Sequence, residues 1–173
     1  LTKYMPVQDR IRVSCDLASL HFGSQTISQV LAAHIFDRRH ASTESHRSWR
    51  IAVPLASKMK DALFDAVRIL LFTTHQYLGL PVLRVQFDRE SAAFRDPALY
   101  RRRLGVNITF TTGGDPNSTA EGAVRLLSTQ AKMLLSHISD HATQMVLWQY
   151  AMKLAGWQHA YVSSEGMPDA RCQ

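Results

Sequence analysis

Every second position is apolar in five short stretches of this 173-residue chain. Ile11, Val13, Cys15 and Leu17 alternate with Arg12, Ser14 and Asp16. The same period returns at Trp49, Ile51 and Val53, at Leu83, Val85 and Phe87, and at Val106, Ile108 and Phe110. A weaker instance is Trp157, His159 and Tyr161. Successive side chains of a strand point to opposite faces, so this period predicts strands with one buried and one wetted face, typical of a mostly antiparallel sheet.

Between these stretches the pattern turns helical. Thr26 to Gln29 fits a capping box ahead of Ile27, Val30, Leu31 and Ile35, which predicts a helix over Thr26 to Phe36. A second helix is expected from Leu55 to Phe72, with Met59, Leu63, Val67 and Leu70 on its apolar face. Asp96-Pro97 is an N-cap followed by proline at the first helical position, opening a short helix through Tyr100. Ser118 and Glu121 form a capping box after the Gly113-Gly114-Asp115-Pro116-Asn117 turn, before Val124, Leu127, Ala131, Leu134 and Ile138. Asp140 caps a last helix that is expected to end at Gly156. The order predicts one α+β domain over 10–163, with tails at 1–9 and 164–173 and no internal repeat. Residues Asp37 to Ser48, polar and rich in Arg and His, read as a long loop expected to be mobile.

Charge adds a map to this outline. The formal net charge is +6. Arg38, Arg39, Arg47 and Arg50 stand against Glu44, a local +3. Arg84, Arg89, Arg95, Arg101, Arg102 and Arg103 stand against Asp88, Glu90 and Asp96, another +3, and the remainder is balanced. All of the excess in these two segments is arginine, the side chain whose planar fork suits phosphate. Arg38, Arg39, Arg47, Arg50, Arg101, Arg102 and Arg103 are therefore the candidate contacts to anionic lipid or nucleic acid. Trp49 and Tyr100 adjoin the two clusters, and base stacking beside guanidinium would suit a single strand, although the alternation of Trp49 with Ile51 and Val53 favours an inward place.

Catalytic signatures are not apparent. His137 and His141 have the i, i+4 spacing of metal ligands but lack a third partner, so no metal or cofactor is expected. Gly113-Gly114 lacks the spacing of a phosphate-binding loop. Cys15 falls on an apolar strand face, Asp61 and Asp65 on the polar side of a helix, and no Gly-x-Ser-x-Gly elbow occurs. Two cysteines without zinc spacing point to a reducing compartment. No signal peptide is visible after Leu1, and no apolar run reaches membrane-spanning length.

The order of elements, with counterparts at Arg10 to Leu17, Thr26 to Phe36, Leu55 to Phe72, Leu83 to Phe87 and Val106 to Thr111, resembles that of rhabdovirus-type matrix proteins. The proline-rich late-domain motif of that family is absent, with only Tyr4-Met5-Pro6 near the start. The resemblance implies a non-enzymatic, self-associating assembly protein that bridges nucleocapsid and anionic membrane, intracellular and peripheral to the membrane or within a virion. The alternative expectation is an RNA-binding protein, a silencing suppressor or ribonucleoprotein component, and a third is a basic effector that binds an acidic protein. No small-molecule substrate is expected under any of them.

Overall fold

The segment expected to be the first helix is the second strand. The computed structural model describes residues 11–22, 25–37, 47–57, 59–79, 82–87, 96–111 and 118–161. Strands β1 (Ile11–Phe22), β2 (Gln25–Asp37) and β3 (Arg47–Leu55) pair antiparallel in chain order. Lying between the other two, β2 buries both faces: Leu31, Ala33 and Ile35 enter one core, Val30 and Ala32 the other. A strand covered on both sides has no reason to alternate, and its apolar run is then indistinguishable from a helical stripe.

From β3 the chain enters α1 (Lys60–Leu78), which leads to β4 (Arg84–Phe87). β4 pairs parallel with the opposite side of β1, and after α2 (Pro97–Leu104) strand β5 (Asn107–Phe110) pairs parallel with β4. The sheet order is β3-β2-β1-β4-β5. α3 (Ser118–Ser136) and α4 (His141–Tyr161) complete an α+β domain. The expected tails, 1–9 and 164–173, lie outside the described residues.

Two cores result, one on each face of the sheet. On the first, Leu63, Val67 and Leu70 of α1 and Tyr100 of α2 pack on Val13, Cys15, Leu31, Ile51, Val85 and Phe87. On the second, Leu127, Ala131 and Leu135 of α3 and Trp148, Met152 and Ala155 of α4 pack on Ala18, Val30, Ala32 and Ala52. Small side chains at these strand positions let the helices lie close. Ile51, Val53, Leu63, Val67, Val85, Phe87, Ile108 and Leu127, expected inside, are buried; Phe110 is partly covered at the end of the edge strand β5, and Met59 and Leu83 are exposed.

The capping expectations hold at two helices. The Asp96 carboxylate accepts the Leu99 N–H at 3.2 Å, with Pro97 opening α2. Asp140 accepts the Thr143 N–H at 2.8 Å and the Thr143 hydroxyl at the start of α4. These bonds hold its carboxyl below the usual range.

Three other boundaries differ. Leu55 ends β3, and the helix after it starts only at Lys60. The loop expected over Asp37 to Ser48 gives up both ends to strands: Asp37 is buried and paired in register with Arg47, and 38–46 lie outside the described residues. Gly156 does not end α4, which continues through Trp157 to Tyr161 where a strand was expected. The three-residue alternation there is too short to outweigh a helix anchored on β3.

Candidate carboxylate site

The sheet's central strand carries a carboxylate at its middle. Along β1 the odd positions Val13 and Cys15 enter the first core, while Ser14, Asp16 and Ala18 share the face under α3 and α4. Asp16 lies opposite Ala32 of β2, in a row that continues to Ala52 of β3. On its other side the parallel pairing with β4 ends one residue earlier, at Cys15 opposite Phe87. Asp16 therefore stands half-buried where β4 stops, at the carboxyl ends of the parallel strands and where the chain order switches sides of β1. In open sheets such switch points are where ligands bind.

A second carboxylate comes to this face with α3. Ala120, Ala123, Leu127 and Ala131 form its buried stripe, and Glu121 lies exposed in the first turn, on the flank of that stripe. The partial positive charge of a helix start favours an anionic side chain there. In sequence Phe87 is followed by Asp88, which lies outside the described residues.

Beside Asp16 the face is polar. α3 and α4 rest on β1, β2 and β3, while the same side of β4 and β5 carries Arg84, Gln86, Asn107 and Thr109. Arg12 donates to the Gln86 side chain at 2.8 Å. Gln86, Ser14, His34 and Arg50 continue one transverse row across four strands.

The structure separates the arginines read from the sequence. Arg38 and Arg39 lie outside the described residues. Arg47 and Arg50 belong to β3, one edge of the sheet. Arg101, Arg102 and Arg103 form the exposed last turn of α2, which packs against β5 at the other edge. Five strands at about 4.8 Å spacing put roughly 19 Å between those edges. The α2 arginines also lead into the start of β5, at the end of the parallel strands opposite to Asp16. They suit the negative end of the helix dipole. Tyr100 offers no face for stacking: it is 1% exposed and packs on Phe64, ring centroids 5.3 Å apart, and burial pushes its phenol up to about 12. Trp49 is likewise buried.

Neither ring nitrogen of His34 has a hydrogen-bond partner among the described residues. Burial, then the Arg50 charge, lowers its pKa to about 4 from an ordinary 6.5. Folding thus favours the neutral ring. The stability this contributes is complete above pH 6.5 and is lost as pH falls from there through 4. The shift corresponds to about 2 kcal/mol after discounting for water that still reaches the ring. Urea titrations at pH 7.5 and 4.5 should show a smaller acid loss in His34→Gln than in the wild type; equal losses would remove His34 as the cause.

Cys15 is buried, its thiol pushed well above the usual range by burial and then by the Asp16 carboxylate, so it is packing material. His137 and His141 are exposed around the α3–α4 junction, the latter 3.4 Å from the Gln144 side chain. Among the described residues no three His, Cys, Asp or Glu side chains form a metal cluster, and no helix is long and apolar enough to cross a membrane.

No protein-family model matches the chain, and no curated protein matches it by sequence. Solved structures do. The catalytic core domain of BIV integrase superposes with a TM-score of 0.53 at 12% identity, covering 87% of this chain and 85% of that one. The chain shares the fold of an integrase catalytic core. A simian T-cell lymphotropic virus intasome in complex with the PP2A regulatory subunit B56 gamma aligns at a TM-score of 0.47 and 13% identity, over 91% of this chain and 56% of that one.

The integrase-core fold overturns the expectation of a matrix-like assembly protein. The expectation of a non-enzymatic protein likewise meets a fold that serves as an enzyme's catalytic core. In the sequence Glu121 is accounted for as half of a capping box and Asp16 as the polar side of a strand.

Proposed function

We propose that this chain is a divalent-cation-dependent catalytic core that cleaves or transfers phosphodiester bonds of a DNA strand, with Asp16 and Glu121 as its described carboxylates. The observation that carries this reading is the place of Asp16. It is a half-buried carboxylate at the end of the β1–β4 pairing, on the face of the sheet over which α3 packs, in a fold shared with an integrase catalytic core. Asp88 follows Phe87 in the sequence, outside the described residues, and joins this proposal by that position alone.

The donor set fits a hard cation. Magnesium or manganese takes oxygen ligands, is commonly held by one or two carboxylates and keeps several waters for substrate oxygens to replace. When bound, such ions stabilise charge on the attacking and leaving oxygens of an in-line displacement. The chain's own part is to fix the carboxylates on rigid elements, Asp16 inside a five-stranded sheet and Glu121 at the root of a 19-residue helix. Arg12, on β1 itself, and Arg84 of β4 share the face of Asp16 but lie nearer the amino ends of the parallel strands.

Manganese binding tests the site directly. Calorimetric titration should show binding by the wild type that weakens at least tenfold in Asp16→Asn, Glu121→Gln and Asp88→Asn. Asp61→Asn, on the exposed side of α1, should bind as the wild type does. A wild type that binds no manganese at millimolar concentration, or binding indifferent to Asp16 and Glu121, would sink the proposal.

A further inference from the structure

Five exposed arginines gather at the amino ends of the parallel strands. Arg12 stands one position before Val13 and Arg84 one before its partner Val85, while Arg84 is paired in turn with Asn107. These three make a transverse row, all exposed, on the half of the second face that α3 and α4 leave open. α2 ends beside the row. Only Gly105 and Val106 separate Leu104 from Asn107, and Arg101, Arg102 and Arg103 are exposed in that last turn. The described residues of β1, β4, β5 and α2 at this end include no carboxylate. Asp96 lies at the far end of α2, and Asp16 four positions along β1, about 13 Å away at ~3.3 Å per residue. The dipole of α2 accounts for its own three arginines but not for the two on the sheet. Like charges opposite one another on neighbouring strands are destabilising, so Arg12 beside Arg84 calls for a reason outside the fold.

We infer that this end of the domain is a second DNA contact, a seat for the phosphate backbone of a duplex, separate from the carboxylate site. Every cation in the cluster is arginine, whose planar fork grips a phosphate through two parallel N–H bonds. The exposed amide of Asn107 and the half-buried one of Gln86, which accepts from Arg12 at 2.8 Å, are the neutral side chains that commonly position a backbone. A membrane surface draws lysine and arginine alike and has no use for such amides. Size is consistent. The row from Arg12 to Asn107 crosses two strand spacings, about 10 Å, and a duplex carries one negative charge per ~1.7 Å of its axis, so several phosphates meet the arginines at once. This contact goes beyond the proposed chemistry, because it requires neither a cation nor Asp16 and holds DNA without cutting it.

Fluorescence anisotropy of a labelled duplex of about 30 base pairs, titrated with the full chain in EDTA between about 50 and 200 mM salt, tests this. The wild type should bind in the micromolar range, with log K falling against log salt at a slope of about −4, five phosphate contacts at ~0.9 each. Arg84→Gln should reduce that slope by about one. The combined Arg101→Gln, Arg102→Gln and Arg103→Gln variant should reduce it by about three and weaken binding at least tenfold, with circular dichroism unchanged. Arg68→Gln, on α1 beside Asp65, should bind as the wild type does, and Asp16→Asn at least as tightly. Equal binding by the folded arginine variants and the wild type would overturn the inference. So would phosphatidylserine vesicles captured through these arginines by a chain that leaves the duplex unbound. With no divalent cation present, either result is independent of whether Asp16 is catalytic.

Discussion

Asp16→Asn should leave a folded protein that has lost at least about a thousandfold of any cation-dependent nicking or strand-joining activity on duplex DNA. The substitution keeps the side chain's shape and removes its charge. Asp16 is half-buried on a strand whose pairing with β2 runs unbroken past it. Backbone pairing does not depend on the carboxylate, so the thermal midpoint should move by only a few degrees. Catalysis does depend on it under the proposed reading, because a neutral amide is a poor ligand for a hard cation and leaves developing charge uncompensated. A deficit of about 4 kcal/mol in transition-state stabilisation is a factor of roughly a thousand. Glu121→Gln should follow Asp16→Asn, and Asp65→Asn should not, since Asp65 sits exposed on α1 beside Arg68 at 3.2 Å. Should Asp16→Asn retain wild-type nicking under magnesium or manganese, the carboxylate site is not the catalytic centre.

Gly156→Leu should destabilise the fold by about 2–3 kcal/mol, the range of overpacking where the neighbour cannot give way. A Cβ at this position would stand 3.3 Å from the Ala52 backbone nitrogen and 3.4 Å from the Arg50 carbonyl oxygen. Both neighbours belong to the backbone of β3, whose positions are fixed by the ladder to β2. Replacing glycine inside a helix gains up to about 1 kcal/mol of propensity, which the clash outweighs for a branched side chain. Gly122, where an added Cβ meets nothing within 4 Å, is the control. Gly122→Ala should stabilise slightly. Urea denaturation of both variants checks the pair, and equal stabilities would show that α4 has room to shift on the sheet.

The alternation of single-faced strands was legible because each has one wet side. β3, β4 and β5 each reach solvent on an edge or on an uncovered face, and the residues expected inside are buried except Leu83, which is exposed, and Phe110, which is partly covered. β2 was not legible for the complementary reason: covered on both faces, it lost the polar half of its pattern. Gly156 was read as a stop signal because glycine commonly ends helices. Its reason here is the approach of β3, which no local window contains.

The candidate site was less legible than the core. Asp16 and Glu121 were visible as residues, but each had an adequate local explanation, strand surface for one and helix cap for the other. The large arginine clusters drew the functional reading instead, and the fold places the described ones at opposite edges of the sheet.

By itself the sequence determined the α+β class, the helix starts at Asp96 and Asp140, and most of the buried positions. These follow from side chains acting on their own neighbours: a carboxylate on a free N–H, or a methyl group leaving water at a fixed period. Only the tertiary structure decided that β4 joins the far side of β1 and that α3 folds back over the sheet. Those two choices fix where Asp16 and Glu121 sit, and they depend on the burial of distant apolar faces against one another, a property that no single segment of the chain carries.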